Sequence, residues 1–320
     1  MTEIELLDKA LFSCASIHQP HGLKAFLAAQ NLAHLFETFQ MDKQRNIWQQ
    51  TYRLITQSEI EVEGHFAQRV MAPEFSAFRI NKVLALGIYP AAYQAIYQWH
   101  QSKGFDDIFS HYANLAAKHD EYLSHNITIL SAFKHLYPQL DATQIAPFLD
   151  RLTEFITATY NIKTVASKKT ASKKESSKIT SSLDDKSTSM PYNVKKLLDV
   201  CLKQPSFFGH NLITLAWIMR TKIDLSEVQQ LELCSNLYQQ ATNPLDDPDD
   251  GLDERLFALS QPSDSAVVFT QSLRAMVFDS CNNLHQVTLA DALYYLYQQF
   301  PQESARISRV ADYYVRVFKT

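Results

Sequence analysis

Glycine is scarce in this chain: six residues in 320. Dinucleotide-binding loops, phosphate-binding loops and tight hairpins all draw on its conformational freedom. The scarcity therefore argues against Rossmann, P-loop and hairpin-rich β architectures. Cysteine is also sparse. Cys14, Cys201, Cys234 and Cys281 lie far apart with no CxxC pair, which reads as reduced, buried thiols in a cytoplasmic protein. There is no excess of positive charge, the formal balance being −4, so nothing electrostatic points to nucleic acid or an anionic membrane as partner. No apolar run approaches the ~20 residues needed to span a bilayer. The acidic start Met-Thr-Glu-Ile-Glu lacks the basic opening of a signal peptide. A soluble cytoplasmic protein with a small-molecule ligand is the expectation.

Apolar residues make up 46% of the chain and charged ones 20%, enough for a sizeable core. Their spacing is helical throughout, with no sustained period-two alternation. Ile4, Leu7, Leu11 and Ala15 mark a first helix. After the break His18-Gln-Pro-His-Gly22, a second runs through Leu23, Phe26, Leu27, Leu35 and Phe39, and a third spans 43–57. Ser58-Glu-Ile-Glu61, Ser226-Glu-Val-Gln229 and Thr288-Leu-Ala-Asp291 read as capping boxes that open helices. Gly87 is a C′ glycine and Pro90 an N1 proline. The expected fold is all-α, a multi-helix bundle.

Residues 163–190 are dominated by lysine and serine, with too little apolar surface to offset the entropy of ordering, and read as a flexible linker. It divides an N-terminal helical half, 1–162, from a C-terminal half, 191–320, expected to pack on the first as one domain. Tyr122-Leu-Ser-His-Asn-Ile and Phe207-Phe-Gly-His-Asn-Leu resemble each other. Each is followed by an aliphatic-Asp-x-(Thr/Ser)-x-aliphatic turn, at Leu140–Ile145 and Ile223–Val228. A helix–turn–helix unit thus occurs twice, giving pseudo-symmetric halves with a site between them.

The chemistry rests on histidine. His125 and His210 occupy equivalent points of the repeat, and His285 again precedes an apolar helix. These three are expected to line one internal cavity as catalytic imidazoles. Asn126, Asn211, Trp217 and Phe207 would be substrate-binding neighbours, since Phe207, His210, Asn211, Thr214 and Trp217 share a helical stripe. No HExxH occurs. The acid-to-histidine pairs Glu61/His65, Asp107/His111 and Glu121/His125 read as ion pairs, so no metal ligands are assigned.

Three segments carry a family likeness: Phe78-Arg-Ile-Asn-Lys-Val-Leu-Ala-Leu-Gly-Ile-Tyr-Pro-Ala-Ala-Tyr93, Phe207-Phe-Gly-His-Asn-Leu-Ile213 and Leu284-His-Gln-Val-Thr-Leu-Ala-Asp-Ala-Leu293. Together they resemble the questin oxidase-like proteins. The resemblance implies an all-helical oxidoreductase that opens aromatic polyketide rings in a Baeyer–Villiger-like reaction. It also implies a reduced nicotinamide cofactor, NADPH, and puts His210 and His285 in the pocket; His125 joins them through the internal repeat. A non-enzymatic helical ligand-binding or protein-interaction protein is the alternative.

Overall fold

A computed structural model describes the chain except residues 16–17, 40–45, 63–72, 120, 162–192, 246, 280 and 320. The expected linker lies outside the described residues. What is described is all-α, with one minimal sheet in which β1 (Ser13–Cys14) pairs antiparallel with β2 (Ile60–Glu61). No described helix is long and apolar enough to cross a membrane.

Four helices set the architecture: α2 (His21–Thr38), α6 (His125–Leu136), α9 (His210–Thr221) and α13 (Leu284–Gln299). They pack cyclically, α2 on α6, α6 on α9, α9 on α13 and α13 back on α2. All but α13 begin with a histidine, and α13 carries His285 as its second residue. Two ring helices come from each side of residues 163–190. Around them stand α1 (Glu3–Leu11), α3 (Ile47–Ser58), α4 (Ala77–Leu86), α5 (Ala91–Lys118), α7 (Ile145–Thr159), α8 (Val194–Lys203), α10 (Glu227–Thr242), α11 (Glu254–Leu259), α12 (Ala266–Phe278) and α14 (Ser304–Val317). Burial of nearly every residue of α6 and α9 makes these helices core on all faces, which is why their apolar periodicity is blurred.

The approaches to α6 and α9 match. Each follows a single tight turn, Tyr122–Ser124 or Phe207–Gly209, and each turn passes through two positive-φ residues, Leu123 and Ser124 or Phe208 and Gly209. Gly209 has no alternative there: its φ is +76°, and a Cβ would lie 2.5 Å from Leu289 Cδ1. The non-glycine residues held at positive φ store strain of the kind that clusters at functional sites.

Two helix starts differ from the sequence expectation. Ser58 closes α3 instead of opening a helix, because Glu59 and the β2 residues leave helical geometry to pair with β1. The helix expected beyond it reaches into 63–72, outside the described residues. Thr288 does not begin the last His-containing helix; Asn283 caps it five positions earlier through a capping box with Gln286, which draws His285 inside the first turn. Ser226 does open α10 with the expected box.

Candidate functional site

The four helix starts converge, and their histidines meet. His125 Nε2 lies 3.1 Å from His210 Nε2. The His210 and His285 rings are 4.8 Å apart, the His21 ring is 5.0 Å from His125 and 5.1 Å from His285, and His125 is 6.1 Å from His285. His125 and His210 are buried; His21 and His285 are partly exposed, yet Nε2 of each is shielded and has no hydrogen-bond partner. Lys24, one turn along α2, is fully buried with Nζ 3.4 Å from Thr128 Oγ1.

Burial decides the charge states here. Loss of solvent pushes His21 and His210 down to about 3, with the Lys24 ammonium a further cause in each case. It holds His125 and His285 far below the usual imidazole range, helped by Lys24 and neighbouring rings. All four are neutral at neutral pH. Burial brings the Lys24 amine down to about 7, against the pull of Glu121 and Glu59. Those carboxylates cap two of the converging helices: Gly22 N donates to Glu59 Oε1 at 2.9 Å, and Asn126 N to Glu121 Oε2 at 2.7 Å. A Cβ at residue 22 would sit 2.8 Å from Glu59 Oε2, so a larger residue there would push the capping carboxylate aside. Glu121 therefore serves a helix terminus; it is not the surface ion partner of His125 that their spacing suggested.

An aromatic pocket adjoins the cluster. Phe208 stacks on His285, centroids 5.7 Å apart, and on Phe318 behind it. Phe207 stacks on His210 and is 39% exposed, and its carbonyl accepts from His210 Nδ1. The rings of Phe207, Phe208 and Phe318, with Tyr313, Tyr314 and the carboxylates of Asp249 and Asp253, line a cavity of about 290 Å³, from which Phe207 and Phe208 separate the histidines. A larger cavity of about 770 Å³ opens at the other end of the ring helices. Asn31, His135, Trp217, Arg220 and Tyr295 are among its lining residues.

The expected site residues divide accordingly. His125, His210 and His285 lie together, and Phe207 borders them. Trp217 does not: it stands seven residues along α9, ~10 Å from His210 at 1.5 Å per residue, and packs on His135 in the larger cavity. Asn126 and Asn211 turn away from the cluster. Asn126 Nδ2 donates to Ala116 O and His119 O at the end of α5, and Asn211 Nδ2 to Gln204 O at the end of α8. Both are clamps on the preceding helix, not substrate contacts. His21 and Lys24 were passed over in the sequence. The signal was there, since His21 opens an apolar helix as the other histidines do.

The described residues do not fit a nicotinamide dinucleotide. Asp249 and Asp253 at the wall of the pocket beside the cluster repel a pyrophosphate. The gaps left by Gly22 and Gly209 are filled by Glu59 and Leu289. In the larger cavity, Arg220 is already paired with Asp291. The chain matches no family model, no curated protein and no solved structure.

Proposed function

We propose that this chain is a questin oxidase-like oxidoreductase acting on a small oxygenated aromatic compound of polyketide type, with the imidazole cluster as its reactive centre. One observation carries the reading: Phe208 stacks on His285 between the shielded imidazoles and the aromatic pocket. A planar substrate lying among Phe207, Phe208 and Tyr314 would gain stacking contacts and present its oxygen substituents to the cluster. The unpartnered Nε2 atoms of His21 and His285 are acceptors, suited to phenolic hydroxyls. A neutral imidazole can then take the phenolic proton, and a protonated Lys24 would favour the resulting phenolate. Buried, unpaired cysteines accord with a cytoplasmic setting. The larger cavity favours a second reading, a non-enzymatic ligand-binding protein that uses the opposite end of the ring.

The test pairs binding with stability. A hydroxyanthraquinone is titrated into the full chain and into the His125→Gln and His285→Gln variants, with melting temperature, and oxygen uptake in the presence of an added two-electron reductant, measured on the same samples. Binding and uptake lost at unchanged melting temperature support the proposal. Binding that survives both substitutions, or that is instead abolished by Trp217→Ala, moves the ligand to the larger cavity and overturns it.

A further inference from the structure

We propose that Cys14, His18 and Glu154 form a binding site for one zinc ion. The site shares no residue with the imidazole cluster, and its occupancy does not depend on what that cluster turns over.

Two parts of the fold bring the donors together. β1 fixes the backbone of Cys14, which pairs with Ile60 of β2. Four residues on, His18 N donates to Ala15 O at 2.8 Å and His18 holds a φ of +57°, a conformation that a local constraint has to maintain. A thiol and an imidazole are thus presented from one short reversal of the chain. Glu154 comes from α7, which packs on α1. Cys14 and Glu154 are buried, whereas His18 is exposed and gives an ion a way in from solvent. The Cys14 sulfur, a His18 ring nitrogen and a Glu154 carboxylate oxygen lie within 4.8 Å of one another. Yet the His18 ring is hydrogen-bonded to neither partner, and Cys14 is in no disulfide. The three groups are near enough to share an ion but do not satisfy one another directly.

Thiolate, imidazole and carboxylate are the ligand types of zinc, and a thiolate does not suit magnesium or calcium. Three protein ligands leave a tetrahedral ion one open position. The carboxylate is already oriented: Tyr93 Oη and Arg151 Nη2 both donate to Glu154 Oε1, each at 2.9 Å. Coordination through Oε2 leaves both bonds in place, and hydrogen bonds of this kind are how proteins hold a ligating carboxylate. Arg151 opposes a cation here, since its charge is buried beside Glu154. At the sulfur the balance is reversed, because the carboxylates of Glu59 and Glu154 both act on Cys14 against Arg151. When zinc binds, the Cys14 S–H bond breaks, its electron pair goes to the metal and its proton to solvent. Zinc and thiolate together then add one positive charge to the Arg151–Glu154 pair, and Glu59 offsets it.

The test uses the chelator-stripped full chain, titrated with cobalt(II) by absorption and with zinc(II) by calorimetry. A thiolate ligand gives cobalt a near-ultraviolet charge-transfer band that imidazoles alone do not, so the spectrum separates this site from the histidine cluster. Saturation of that band and a higher melting temperature with zinc are expected. Cys14→Ser should abolish the band, and His125→Gln and His285→Gln should leave it unchanged. Tyr93→Phe removes one bond to the carboxylate and should weaken zinc roughly 10–100-fold while keeping the band. Glu154→Gln would strand the buried Arg151, so the deciding ligand variant is His18→Gln, at an exposed position. It should lose more zinc affinity than Tyr93→Phe, with the melting temperature of the metal-free chain unchanged. Absence of the charge-transfer band at saturating cobalt in the unaltered chain overturns the inference, and needs no variant to fold. A band that survives Cys14→Ser, or unchanged zinc affinity in His18→Gln, overturns it too.

Discussion

Among the contacts between α9 and α13 is a buried ion pair, Arg220 with Asp291. Asp291 is 1% exposed and is held by Arg220 Nη1 at 2.5 Å and Nη2 at 2.7 Å, with Asn31 Nδ2 of α2 at 3.0 Å. Arg220 also lies over the Trp217 and Tyr295 rings, 5.6 and 4.5 Å from their centroids. Arg220→Met keeps the length of the side chain and most of its packing but strips the carboxylate of both guanidinium hydrogen bonds. Removing one partner of a buried pair costs about 3–5 kcal/mol, because the other charge stays desolvated and uncompensated. Replacing both, as Arg220→Met with Asp291→Leu, should cost much less, since no orphan charge remains and the two chains pack as apolar groups. Urea unfolding of the two single variants, the double variant and the unaltered chain measures the cycle. Single losses near 4 kcal/mol and a double loss smaller than either are expected. Additive losses would refute the reasoning, because they would mean that the pair is no more than two independent contacts.

Asn126→Ala and Asn211→Ala should each lower stability by about 1–3 kcal/mol, from carbonyls of α5 and α8 left unsatisfied. Neither should change affinity for an aromatic ligand; a selective loss of affinity at unchanged stability would return these side chains to the site. His135, half-buried beside Trp217 with Nε2 3.3 Å from Thr221 Oγ1, is depressed below its ordinary value, chiefly by desolvation and then by Arg220. Its unfolded form therefore binds protons more readily, so its contribution is intact above the unfolded value of about 6.5 and is lost as pH falls below it. Relative to the unaltered chain, His135→Gln should gain stability steadily between pH 6.5 and 5, by up to about 1.4 kcal/mol per pH unit; parallel melting curves across that range would contradict the assignment.

Helix content was legible because it is local. Apolar spacing marked α1–α3, Ser226 marked α10, and Gly87 marked the end of α4, where it has φ +60°. Helix starts set by distant residues were not. The acceptor at the start of α2 is Glu59, beyond α3, and Ser58-Glu-Ile-Glu61 imitated a capping box while supplying that acceptor and a strand. Thr288 failed in a similar way. Its hydroxyl bonds the His285 carbonyl within the helix, and Asp291, expected as a capping partner, is engaged by Arg220. Side chains of one sequence pattern serve several purposes, and only packing selects among them.

The His-Asn dipeptides show how far a local pattern reaches. Successive residues on a helix point about 100° apart, so His and Asn at adjacent positions cannot both face one centre. The first turn resolves this by division of labour. In α6 and α9 the histidine points inward to the other imidazoles, and the asparagine points back to the end of the helix before it, α5 or α8. The amide is what lets a buried chain reversal through positive-φ residues be satisfied, and that reversal aims the histidine. Trp217 illustrates the complementary limit: a shared face extends along the helix, so a residue two turns away keeps the direction of His210 but reaches a different cavity. Rotation about the helix separates Asn211 from the cluster, and rise along it separates Trp217. What remains at the convergence of four helix starts is the set of first-turn histidines, and His21 belongs to it by position although its sequence neighbours repeat nothing in the other three.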